Sequence, residues 1–98
     1  MAANIQFDSA QATGVAQSIK RKAENAQTVI NQLTKEIHAI NSWWHGESQK
    51  AFVDQYDSLK PSFDKMIECV NTISANLVEI VRIKEDAEQQ MASKLRSK

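Results

Sequence analysis

Ser42-Trp43-Trp44-His45-Gly46-Glu47-Ser48 decides how the chain folds. The stretch holds both tryptophans and one of the two glycines in the 98 residues, and apolar residues recur at helical spacing on either side of it. Gly46 can take the positive φ that ends a helix and lets the chain reverse. The segment therefore reads as a turn over about 44–47, with one helix before it and another after it.

Upstream, from Ala12, the apolar positions are Val15, Ile19, Ala23, Ala26, Ile30, Leu33, Ile37, Ile40 and Trp44, at steps of three or four. Asp8 followed by Gln11 resembles a capping box. The Asp oxygen accepts a free amide of the first turn while the Gln reaches back, which sets helix one at about 8–43. Gly14 inside it costs about 1 kcal/mol relative to alanine, and burial of the stripe can offset that.

Downstream, the stripe runs Phe52, Tyr56, Leu59, Phe63, Met66, Val70, Ile73, Leu77 and Ile80, again at steps of four and three. Pro61 removes one internal hydrogen bond and crowds the preceding turn, but the spacing from Leu59 through Phe63 to Met66 keeps phase across it. Helix two is expected over about 48–92, kinked near Pro61. The polar end after Lys84, closing on Ser93-Lys94-Leu95-Arg96-Ser97-Lys98, is expected to fray. Strand-like alternation is absent, so the fold class is all-α: an antiparallel two-helix hairpin forming one domain over 1–98. Each helix is expected to hold on the order of 35 residues and to be roughly 50 Å long.

A lone pair of helices hides only a narrow seam. Val53, Ile67, Val78 and Val81 widen the stripe of helix two, and Val29 and Trp43 that of helix one. The excess apolar surface predicts a partner. Ile30, Leu33, Ile37, Ile40, Phe52, Tyr56, Leu59, Phe63, Met66, Val70, Ile73 and Leu77 are the expected packing and dimer-interface residues, and two hairpins would make a four-helix bundle. The partner is a second copy or a related helical hairpin.

Composition narrows the function. Lys plus Arg number 12 and Asp plus Glu 12, which lacks the basic footprint of a nucleic-acid binder. Cys69 is the only cysteine, so no internal disulfide forms. Its place between Met66 and Ile73 reads as a small buried or half-buried packing residue. His38 and His45 have no further ligand at zinc spacing and read as solvated, so no metal or cofactor is expected. Lys20 with Glu24, Lys50 with Asp54 and Lys84 with Glu88 read as surface pairs four apart. No phosphate cradle, nucleophile elbow or catalytic carboxylate pair appears, and an enzyme is not expected. The start, Met1-Ala2-Ala3-Asn4-Ile5-Gln6-Phe7-Asp8, does not read as a cleavable signal, and no apolar run is long enough to span a bilayer stably.

Trp44-His45-Gly46 near the middle of a chain of this length, between two matched helical stripes, resembles the WXG family of small type VII secretion proteins, also called ESAT-like or Esx proteins. Phe52 and the Leu59-Lys60-Pro61 segment are similar to Firmicute-type members. The resemblance implies a non-enzymatic helical hairpin, homodimeric or heterodimeric. It would be made in the bacterial cytoplasm and secreted folded by a membrane ATPase complex. Trp44 and Gly46 would shape the turn, with the indole near the partner's C-terminal segment as a composite export signal. Many actinobacterial members carry a tyrosine and, four positions later, an acid after helix two. Here the only tyrosine is Tyr56, and the nearest substitutes are Ile83, Glu85, Asp86 and Glu88. That departure keeps open a second role, as a helical chaperone or targeting partner of a larger secreted toxin. Direct membrane activity is a third reading, weakened by the balanced charge.

Overall fold

The computed structural model describes residues 6–96. Helix α1 spans Ser9–His38, a 3-10 turn spans Ala39–Ser42, and helix α2 spans Glu47–Arg96. No strand occurs among the described residues. The two helices fold back on each other as a hairpin 79 Å long and about 20 Å across in section, its other extents being 21 and 19 Å. The 50 residues of α2 account for that length, at about 1.5 Å per residue.

Local chemistry sets the boundaries. Asp8 caps α1, its Oδ1 accepting from the Gln11 amide at 3.0 Å. The α-helical part of helix one ends at His38 rather than near 43, because the last residues tighten. The Trp43 and Trp44 amides both donate to the Ile40 carbonyl, at 3.1 and 3.0 Å, and the Ser42 hydroxyl donates to the Ala39 carbonyl at 2.9 Å. These bonds satisfy carbonyls that a helix end would otherwise leave open.

The helices are unequal, at 30 and 50 residues, rather than alike. The C-terminal end expected to fray is helical through Arg96. Strong helix formers continue to Met91 and Ala92, and Arg82 holds Glu79 and, at 2.9 Å, Asp86 along the helix. Ser97 and Lys98 lie outside the described residues. Helix α2 runs unbroken through Pro61, whose surroundings are exposed, so water can take the carbonyl that proline leaves without a donor.

The seam between the helices differs in phase from the expected stripe. In α2 the buried positions are Gln49, Tyr56, Ile67, Ser74 and Val81. Phe63, Val70 and Leu77 are half-buried, while Phe52, Leu59, Met66, Ile73 and Ile80 remain exposed. The centre has moved toward Ile67 and Val81, read from sequence as flanking residues. Small residues decide this: Ala16 and Ala23 are the most buried of the described residues, at 1% and 3% exposure. They let α2 approach closely, and Ser74 fits there because its hydroxyl donates to the Ala16 carbonyl at 2.8 Å. Farther along, the Tyr56 hydroxyl meets Thr34 Oγ1 at 2.6 Å, and His38 Nε2 meets Asp57 at 2.6 Å.

None of the three expected four-apart charge pairs is made among the described residues. Lys50 pairs with Glu47 at 3.8 Å, and the Lys84 ammonium sits 5.7 Å from the centroid of the Phe7 ring. Exposed pairs contribute little each, so opposite charges four apart need not meet, and Lys84 sits over the aromatic face of Phe7 instead.

Replacing Ala16 with leucine forces a branched side chain into the closest approach of the helices. The Ala16→Leu variant is expected to lose about 1–3 kcal/mol of unfolding free energy, read as a lower urea midpoint. The same change at exposed Ala51 is expected to leave the midpoint within about 0.5 kcal/mol of the parent.

Candidate functional site

At the turn, the chain has left the α-helix before the two indoles are placed. Trp43 has φ −134°, so the 100° separation of helical neighbours does not apply. The indoles stack instead, with centroids 6.2 Å apart and planes inclined by 24°. Trp44 is half-buried and leans on Phe52 at 5.8 Å, closing the end of the hairpin. Trp43 is 71% exposed. Gly46 adopts φ 117°, and its carbonyl accepts the Lys50 amide at 3.2 Å to start α2. A Cβ there would meet nothing within 4 Å, so glycine is required for its backbone and not for space.

At the far end, Ile83, Glu85, Asp86 and Glu88 lie on α2 where Phe7 and Ser9 begin α1. Glu85 and Glu88 line an open, mostly polar dent with Phe7, Ser9, Lys84 and Gln89, and Asp86 is tied to Arg82. The Arg82 guanidinium also holds the Glu79 carboxyl below the ordinary carboxylate range by hydrogen bonding and charge. Within one hairpin this group and Trp44 stand at opposite ends of the rod. Beyond Glu88, α2 has no helix beside it among the described residues, and Met91 and Leu95 are exposed.

The broad face is the third feature. Ala23 and Ala26 of α1 and Met66, Ile67 and Val70 of α2 line an apolar dent, with Lys22 at its edge. Across the seam, the opposite side shows Gln27, Asp64, Glu68, Asn71 and Thr72 beside Ile67 and Ala75. The large exposed apolar side chains of the hairpin thus gather on one side, and the other carries more polar groups. Along α2 the greasy side carries Phe52, Leu59, Met66, Ile73 and Ile80, seven apart, with exposures of 41, 46, 56, 56 and 44%. Along α1, Ile30, Leu33, Ile37 and Ile40 are half-buried, while Val15 and Val29 are exposed.

Single residues also differ from expectation. Cys69 is exposed and free, not a packing residue, because it lies beyond Met66 and Ile73 on the outer side of α2. His38 is held by Asp57 and meets the Tyr56 ring edge-on at 6.4 Å, while His45 is exposed in the turn. Sequence reading missed Gln49 and Ser74 as seam residues. Their signal was the seven-residue interval to Tyr56 and between Ile67 and Val81, hidden by their polarity.

Comparison with known proteins gives the same layout a context. The family model described as proteins of 100 residues with WXG matches residues 4–94. The chain is similar to protein YukE of Bacillus subtilis, 35% identical over 80 residues, covering 79% of this chain and 82% of that protein. It is also similar to an ESAT-6-like protein, SAG1039, of Streptococcus agalactiae, at 25% identity, covering 82% of this chain and 83% of that one. Among solved structures, a crystal form of EsxA from Geobacillus thermodenitrificans superposes with a TM-score of 0.81 at 33% identity. That match covers 92% of this chain and 99% of the other.

The two glycines give opposite expectations for the same substitution. Gly46→Ala places a Cβ on a positive-φ backbone and is expected to cost about 1 kcal/mol or more. Gly14→Ala, in a helix interior with nothing within 4 Å of the added carbon, is expected to gain about 1 kcal/mol. Thermal melts of the two variants beside the parent measure both.

Proposed function

The chain belongs to the WXG100 family, and on that premise we propose that it works as a dimeric, non-enzymatic protein exported through a type VII secretion system. The observation that carries this reading is the exposed apolar face: five large side chains seven apart on α2, on a hairpin closed by the Trp44-Gly46 turn. At about 25 cal/mol per Å² of apolar surface, leaving that face wet forfeits much of the stability available to so thin a core. No large side chain among the described residues is fully buried. A second hairpin laid on the same face converts a two-helix rod into a four-helix bundle with a continuous core.

The two candidate signal elements, Trp44 with Gly46 and the segment from Ile83 to Glu88, lie at opposite ends of one hairpin. An antiparallel pair lays the turn of one protomer alongside the C-terminal half of its partner's α2, so that an export receptor can read both elements together. The partners of the exported form are accordingly a second copy and the membrane ATPase complex. No helix among the described residues is long and apolar enough to cross a membrane.

Export is tested in the producing bacterium. The protein is expected in the culture supernatant of the parent strain and only inside cells when the secretion ATPase is deleted. Equal amounts outside both strains would reject the reading. If a larger toxin co-purifies with the chain from cells in place of a second copy, the role is that of a targeting partner instead.

A further inference from the structure

The outer flank of α1 is written so that it can pair with itself. Val15, Lys22, Val29 and Glu36 are seven apart and follow one side of the helix, drifting by only about 20° per heptad. Lys22 borders the apolar dent with Ala26 and Met66, so this flank is the α1 edge of the greasy face. Val15 and Val29 are 51% and 56% exposed. Lys22 reaches only the Ser18 hydroxyl of its own helix, at 2.9 Å, and Glu36 makes no ion pair among the described residues. Two charges therefore stand in an otherwise apolar row without an opposite charge.

When two hairpins meet face to face and antiparallel, a twofold axis lays α1 on its own copy, and the choice of axis decides which residues meet. An axis at Lys22 opposes two lysines, and one at Glu36 opposes two glutamates. Axes midway between neighbouring positions set each charge against valine or the turn, and an axis at Val15 sets Lys22 against Asp8 of the partner, a carboxylate that already caps α1, with no acid or base for Glu36. Only an axis at Val29 sets Lys22 of one protomer against Glu36 of its partner, twice by symmetry, with Val29 on Val29 between them. That register also brings Val15 level with the exposed Trp43 of its partner.

The second helix admits the same axis. Ala16 faces Ser74 and Thr34 faces Tyr56, so eighteen residues forward on α1 match eighteen back on α2. Val29 is then level with Pro61. An α2 register with Leu59 against the partner's Met66 and Phe52 against the partner's Ile73 centres between residues 62 and 63, within about 2 Å of that level.

We infer that the greasy face binds a second copy of this chain in a register fixed by Lys22 against Glu36 of the partner around a twofold axis at Val29. The inference rests on the dimer proposed above and adds what makes the partner self rather than another hairpin: a rival lacking this order of charges leaves two ions opposed by apolar or like-charged groups.

Sedimentation equilibrium and native mass spectrometry test it, with circular dichroism confirming that each variant is helical. Lys22→Glu and Glu36→Lys are each expected to weaken self-association by about tenfold or more. Mixing the two is expected to restore a heterodimer, because every contact then opposes unlike charges, and the double variant is expected to self-associate again. In a Cys69→Ser background, Val29→Cys is expected to give a disulfide-linked dimer under mild oxidation. A parent dimer that tolerates both single variants, or that leaves Val29→Cys uncrosslinked, overturns this register and leaves the dimer intact. A parent that is monomeric at micromolar concentration overturns both.

Discussion

Two helices have only one mutual seam, and the rest of the fold answers to that constraint. A helix in a bundle hides a third or more of its circumference, while a helix in an isolated pair hides a strip. Here the strip is built for closeness rather than bulk, with Ala16, Ala23 and Ser74 at the points of nearest approach. The core that results is thin, and the large side chains sit at its margins. The apolar face follows from that geometry: residues too large for the points of nearest approach lie outside the seam and remain exposed.

The course of the seam along α2 follows the same logic. Its buried positions, Gln49 and Tyr56 and then Ile67, Ser74 and Val81, are seven apart within each group and eleven apart between them, with Pro61 in the gap. A strict seven-residue repeat winds helices around each other to the left, and an eleven-residue step relaxes that winding because it lies closer to the 3.6 residues of a straight helix. In keeping with that, the hairpin is 79 Å long and only 21 by 19 Å across. Past the step Met66 and Ile73 stand farther from the seam, at 56% exposure each against 41 and 46% for Phe52 and Leu59 before it, and Ile80 returns to 44%.

Length asymmetry gives the hairpin two unlike ends. Helix α2 outruns α1 and carries Glu85, Glu88, Met91 and Leu95 past the point where Phe7 and Lys84 tie the helices together. At the other end the stacked indoles and Phe52 close the seam with aromatic surface, of which Trp43 and Phe52 are exposed. Chemistry at either end consists of shape, apolar area and charge, the means by which one protein recognises another.

Much of this was legible before any coordinates. Steps of three and four in two blocks, interrupted at Trp44-His45-Gly46, determined that there are two helices and where the chain reverses, because a helix repeats every 3.6 residues and few residues besides glycine accept the backbone of the turn. The motif also pointed to the WXG proteins. The tertiary structure alone decided which half of each stripe faces inward. Phe63 and Ile67 are equally apolar neighbours on α2, so periodicity left two adjacent seams open. The choice fell to the fit of Ser74 and Ile67 against Ala16 and Ala23, residues whose small size carries almost no hydrophobic signal in a sequence. The stacking of Trp43 on Trp44 and the exposure of Cys69 were hidden for the same reason: each depends on where the chain sits relative to a neighbour, and spacing along one helix does not encode that position.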